Sequence, residues 1–421
     1  MPHAITRRTF LQALGASAAG VAAARAADSP PSPPTPAPDG GLIEGIDRRI
    51  IFNGRKTRVT WFHPRGCMVP GPDGVRALFT LQTIAGSDFF GPVHWMESRD
   101  LGVTWSEPAP IPGLGRKPAA DGYEEGVCDT VPEFHPPTRS VLAIGHNVWY
   151  KAGKLARPQL GRWPVYAVRG PDGQWSESRR LPWDDPRGAC IYTCGCAQRA
   201  TLDGGDVLIP LSFAARPDQP RAVAVARCTF NGRDLAIRTV GPAYENARGR
   251  GLLEPTLARL DGRFYMTIRA EDERGYVATS DDGLTFSAPQ PWTWDDGQPV
   301  VLSTTQQRWL VHSDGLFLVY TRKSEENAKV FRWRTPLYVA EMDRQRLRLI
   351  RESERIVFPL LADPSGDPAR AAGMGNFHTV AAAPGESWVT AGEERSKDGW
   401  AGDTLLGRIR WRRPNRLATT A

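Results

Sequence analysis

Acids, arginines and histidines stand at loop and strand-end positions along this chain, in settings that let them share one basin. Asp88 lies in Gly86-Ser-Asp88-Phe-Phe-Gly-Pro92, a glycine-flanked loop suited to a group that must meet a leaving oxygen. Glu124, Glu125 and Asp129 precede the apolar run 140–146, which ends in His146-Asn147. Glu254 opens a segment that closes at Arg269, and Gln306-Gln307 precede a further apolar run. Arg322, Arg332, Arg334 and His378 follow toward the C-terminus. Such groups support proton transfer by carboxylates or a neutral imidazole. The arginines suit an anionic substrate, because one guanidinium grips two carboxylate oxygens at once.

The six cysteines are Cys67, Cys128, Cys190, Cys194, Cys196 and Cys228. Cys190-x3-Cys194-x-Cys196 is dense but matches no common zinc spacing. Buried thiols or one disulfide are the plainer readings, so no metal and no required cofactor is expected. The net charge is +7, with no long basic run beyond residue 26, which argues against a nucleic-acid partner.

The start of the chain reads as an address. Thr6-Arg-Arg-Thr-Phe10-Leu11 resembles a twin-arginine export signal, an apolar stretch covers 11–24, and Ala24-Arg-Ala26 is a small-x-small cleavage site. The apolar stretch is too short and weak for a stable membrane span. The expectation is a signal at 1–26, a Pro-rich linker at 27–41, one folded domain at 42–415, and a periplasmic or extracellular protein. Loss of the signal removes three arginines and leaves a mildly basic product.

The elements that must position these side chains are strands. Apolar runs are short and punctuated by turn signals such as Pro72-Asp-Gly74, Asp203-Gly-Gly205 and Asp261-Gly262. Runs at 75–82, 140–146, 206–212, 263–269 and 315–320 read as the inner strands of successive units. Runs at 93–97, 163–169, 222–228, 276–279 and 336–342 read as outer strands. A last strand at 404–411 is expected to close a ring by pairing near 48–52 or 58–62. Two segments, 98–105 and 279–286, share a hydroxyl residue, Asp two later, Gly at four, Thr at six and an aromatic at seven. In that spacing Asp accepts backbone N–H groups in a tight turn and Gly takes positive φ. Five units plus a closing one make a six-bladed β-propeller the best fit to an all-β chain; seven blades or a jelly-roll insertion stay open.

The paired turns resemble the Asp-box of sialidases, and the resemblance spans essentially all of 42–415. It implies a six-bladed propeller of the sialidase type, three arginines that clamp a substrate carboxylate, an Asp acid/base on a first-blade loop, and a Glu–Tyr nucleophile pair. By resemblance Arg65 in His63-Pro-Arg65 is the first clamp, Asp88 the acid, Glu254 the base or charge partner and Arg269 the second clamp. The third clamp falls in Arg332-Trp-Arg334, with Arg334 preferred and Arg322 a rival. Asp129 and Gln306 are expected to contact substrate, and His146 and His378 to face the channel as catalytic groups. Where the family keeps a Tyr, this chain reads Met374-Gly-Asn-Phe-His378.

Phe cannot attack a glycosidic carbon, and His is an uncommon nucleophile there. Three functions therefore follow. The first is an exo-glycoside hydrolase on a terminal sialic or uronic acid of a glycan. The second is a uronide lyase with His378 or His146 as base, and the third a glycan-binding propeller without turnover. The hydrolase is the expectation carried forward.

Overall fold

The computed structural model describes residues 24–25, 40–360, 367 and 370–420. The signal and linker expected at 1–41 fall almost wholly outside them. No helix among the described residues is long and apolar enough to cross a membrane.

Six antiparallel sheets follow one another around a ring. The first blade runs from its innermost strand Thr60–Gly71 through Gly74–Gly86 and Phe89–Ser98 to a short outer strand, Ala109–Pro110. The second is built on Tyr123–His135, Ser140–Lys151 and Pro164–Arg169. In the third, Ile191–Thr193 and Ala200–Thr201 both pair with Val207–Ala214, so its innermost strand is interrupted. The fourth comprises Leu253–Leu260, Arg263–Arg269, Gly275–Ser280 and Gln290–Pro291. The fifth begins Arg308–His312, Gly315–Tyr320, Leu337–Asp343. The sixth takes Phe377–Ala383, Glu386–Gly392 and Thr404–Trp411, then borrows Ile43–Phe52 from the start of the domain as its outer strand. Ile43 pairs with Trp411 and Phe52 with Thr404, so the ring closes by strand exchange and hides two edges. Of the two partners expected for the last strand, 48–52 is the one used; 58–62 starts the first blade.

The runs expected as inner strands are the second strand of each blade. The innermost strands lie one hairpin earlier. Their channel-facing positions carry His63, Arg65, Asp129 and Glu254, which break the apolar pattern by which a buried strand is recognised.

The cores lie between blades. Phe79 and Trp105 of the first blade, 4.5 Å apart, meet Trp388 of the sixth at ring separations of 6.1 and 6.2 Å. Leu142 and Tyr166 pack on Leu211 and Phe213, joining the second blade to the third. Trp292 and Trp309 link the fourth and fifth.

The two Asp turns differ in detail. Asp100 accepts from Ser98 Oγ, the Thr104 N–H and Thr104 Oγ1 at 2.6–2.9 Å. In the fourth blade the acceptor is Asp282, which takes Ser280 Oγ and the N–H groups of Leu284 and Thr285 at 2.7–2.8 Å. Asp281, the residue aligned by counting back from Gly283, is 96% exposed and faces only Arg263. This turn is one residue shorter between acceptor and aromatic.

Candidate active site

Four successive blades present a non-glycine residue in the left-handed region at the same end of the channel. They are His63 (φ 53°), Asp129 (φ 58°), Cys196 (φ 67°) and Glu254 (φ 45°). Left-handed backbone costs an L-residue about 1–2 kcal/mol, and such outliers collect at functional sites. In three cases a bulge accompanies the turn: between Phe62 and Arg65, opposite the Ile144–His146 step, and between Leu253 and Thr256. An extra residue in a strand re-aims its side chain, here into the channel.

Asp129 sits where three blades meet. Arg65, fully buried, donates from Nη2 to Asp129 Oδ1 at 2.6 Å and to Cys196 Sγ at 3.2 Å. Cys196 Sγ donates to the same Oδ1 at 2.9 Å. His63 Nε2 lies 3.6 Å from Oδ1. On the other lobe, Oδ2 is 3.8 Å from His146 Nε2 and 3.8 Å from Cys128 Sγ, which are 3.4 Å apart. Burial raises the Asp129 carboxyl, but the Arg65 guanidinium and the Cys196 Sγ hydrogen bond act against it, and the carboxyl is held well below the ordinary range. Burial pushes His63 down to about 3 and His146 well below its usual value, so both imidazoles are neutral. Cys128, Asp129 and His146 form the one Cys/His/acid group among the described residues whose ligand atoms could hold a metal ion.

Glu254 forms a second centre within one hairpin. Arg269 Nη1 donates to Glu254 Oε1 at 2.6 Å, and its other nitrogens reach Thr304 Oγ1 at 3.2–3.3 Å. The Glu254 side chain is 29% exposed, against none for Arg65.

A cationic rim surrounds both centres. Arg334 is bonded to Glu394, and Arg250 to Glu271. Arg221 is pushed down to about 10, first by burial and then by Arg162, Arg250 and Arg269. Asp88, left-handed at φ 51°, stands at this rim. Surrounding protein and the Asp129 carboxylate raise its carboxyl above the usual range, against the pull of Arg334 and Arg162.

The structure thus gathers Asp88, Asp129, His146, Glu254, Arg269 and Arg334 at one end of the ring. Arg65 lies in the floor, reached through Asp129 and not open to solvent. Gln306 is buried and ties the fifth blade to the Phe377 carbonyl of the sixth. Arg322 stands apart: just past the strand Gly315–Tyr320, it is bonded to Glu354 and lies over Tyr338. His378 is buried with Nε2 on the Gly66 carbonyl at 3.1 Å, sealed from a substrate in solution. Phe377 is fully buried core. None of the nine tyrosines bonds Glu254. Tyr192, for instance, accepts from Arg180 and donates to the Leu181 carbonyl.

Arg162, Arg221 and Arg250 also belong to the site but sit in connections without sequence pattern. Arg308 belongs to it as well; it is fully buried and has no hydrogen-bond partner for any guanidinium nitrogen. Burial, then repulsion from Arg65, lowers Arg308 to about 10. An arginine opening the apolar run 308–312 was its signal.

No family model matches the sequence, and neither does any curated protein. The fold is similar to that of solved sialidases. The Hadza microbial sialidase Hz136 superposes with a TM-score of 0.59 at 10% identity, covering 86% of this chain and 68% of that one. Trypanosoma rangeli sialidase gives 0.55 at 12% identity, covering 89% of this chain and 57% of its own length. The NanB sialidase of Streptococcus pneumoniae gives 0.57 at 10%, covering 89% and 71%. This chain has a sialidase-like six-bladed propeller.

Proposed function

We propose that this chain is an exported exo-glycoside hydrolase that releases a terminal acidic sugar, sialic or uronic acid, from a glycan. The observation that carries the reading is Asp88: a carboxyl held toward its protonated form at the rim of a basin otherwise crowded with guanidinium groups. An anionic sugar matches that field, as sialic acid is bound by Trypanosoma rangeli sialidase.

In this reading Arg269 and Arg334 hold the sugar carboxylate. Asp88 gives its proton to the glycosidic oxygen as the bond to the anomeric carbon breaks. Glu254, which accepts the Arg269 hydrogen bond, takes a proton from a water that attacks the opposite face. With no tyrosine beside Glu254, the reaction is a single displacement and inverts the anomeric centre.

Purified protein incubated with sialosides and a panel of uronide glycosides should release free sugar, and Asp88→Asn should abolish it. Proton NMR of the first-formed anomer reads the stereochemistry. No release from any substrate, with wild type and Asp88→Asn alike, sinks the hydrolase. Binding that survives Asp88→Asn without product marks a lectin. An unsaturated, ultraviolet-absorbing uronide marks a lyase, a reading that the burial of His378 weakens.

A further inference from the structure

We infer that Cys128 Sγ, Asp129 Oδ2 and His146 Nε2 form a three-ligand site for a thiophilic first-row divalent cation of the zinc class. The site is independent of the hydrolase reading. The three separations are 3.4, 3.8 and 3.8 Å. A tetrahedral zinc with bonds of about 2.0 Å to N or O and about 2.3 Å to S keeps an N and an O ligand about 3.3 Å apart and a sulfur about 3.5 Å from either. The side chains therefore stand within about 0.5 Å of ligand spacing, and His146 Nε2 and Asp129 Oδ2, at 3.8 Å, are too far apart to hydrogen-bond directly.

The backbone produces this spacing. His146 faces Cys128 across the hairpin, and the bulge beside it, with Asp129 left-handed, turns the next residue's carboxylate toward the same point. Gly195 leaves room for the imidazole: a Cβ there would stand 1.9 Å from His146 Nδ1. The two Asp129 oxygens are divided. Oδ1 serves Arg65 and Cys196, and Oδ2 has only the two loosely placed neighbours. His146, 7% exposed, has only Cys128 Sγ and Asp129 Oδ2 beside its Nε2, so that nitrogen is free to ligate.

The donor set selects the ion. One sulfur, one imidazole and one carboxylate oxygen suit zinc or its neighbours, whereas calcium and magnesium take oxygen shells. Binding would release the thiol proton to solvent, and thiolate plus carboxylate would balance the dication. Three protein ligands leave a fourth position open to water or a substrate oxygen, the pattern of a working rather than a sealed site.

The test is a titration of chelator-stripped full-length protein with Co2+. The expected result is one equivalent bound, with a near-ultraviolet sulfur-to-cobalt charge-transfer band and tetrahedral visible bands, displaced by one equivalent of Zn2+. Cys128→Ser and His146→Gln should each lose the band, and Cys190→Ser should keep it. No band, no stoichiometric zinc, or a band surviving either ligand substitution overturns the assignment. Should those variants not fold, X-ray absorption of the zinc-loaded wild type decides: one sulfur at about 2.3 Å is expected, and an all-N/O or multi-sulfur shell refutes it.

Discussion

The Asp129 and Glu254 carboxylates occupy the same kind of place, a left-handed residue at an irregularity of an innermost strand. Each accepts a 2.6 Å bond from an arginine. They differ in where the arginine comes from. Arg269 is on the strand paired with that of Glu254, and the pair is partly open. Arg65 belongs to the neighbouring blade, and its whole side chain is enclosed. The first pair is local to one hairpin; the second is part of what joins blades one, two and three. One backbone device thus yields an adaptable acid in one sector and a rigid, largely enclosed cluster in another.

The largest test of that contrast is to remove each acid. Asp129→Ala leaves Arg65 buried without its charge partner, and should cost about 3–5 kcal/mol of unfolding free energy. Glu254→Gln should cost less, about 1–2 kcal/mol, since the neutral amide oxygen can still accept from Arg269, which also keeps Thr304. If Glu254 is the base, that same variant should lose about 10²–10⁴-fold in kcat with Tm nearly unchanged. Equal losses of stability from the two variants would break the comparison.

A smaller effect sharpens it within the fourth blade. Asp282→Ala removes the acceptor of two backbone N–H groups and should cost about 1 kcal/mol. Asp281→Ala should leave Tm where it is. Chemical denaturation of both variants checks which aspartate the turn uses.

The smallest effect is in pH. His378 lies beside the Arg65 floor, and burial, then Arg308 and Arg65, hold its folded pKa well below 6.5. A depressed histidine contributes stability above its unfolded value of 6.5, lost as pH falls below it, because unfolding then takes up a proton. His378→Gln should flatten the fall of Tm between pH 6.5 and more acid conditions. An unchanged slope would show the imidazole protonated in the folded state.

The turns, the second and third strands and the closing partner of the last strand are legible in the sequence, because each obeys local pattern: turn residues, alternation, apolar runs. Glu254 and Arg269 are legible as a spaced pair because one hairpin holds both. The innermost strands are not, since lining a polar channel demands charged residues and bulges that erase alternation. Arg308 is hidden for the same reason. The Cys128–Asp129–His146 group depends on cross-strand register, which residue spacing along the chain does not reveal. Cys190 and Cys194 make no contact with Asp129, and only Cys196 joins that cluster.

The strand exchange that closes the ring also fixes how the molecule meets force. Ile43 and Trp411 are register partners at one end of an antiparallel ladder, so both ends of the domain emerge side by side. Pulling them apart loads the ladder one rung at a time, as a zipper opens, and not all rungs together in shear. The propeller should therefore yield first at this seam, at low force, while the other five blades stay intact. A circular permutant that joins the adjacent ends and opens elsewhere would move that weak point.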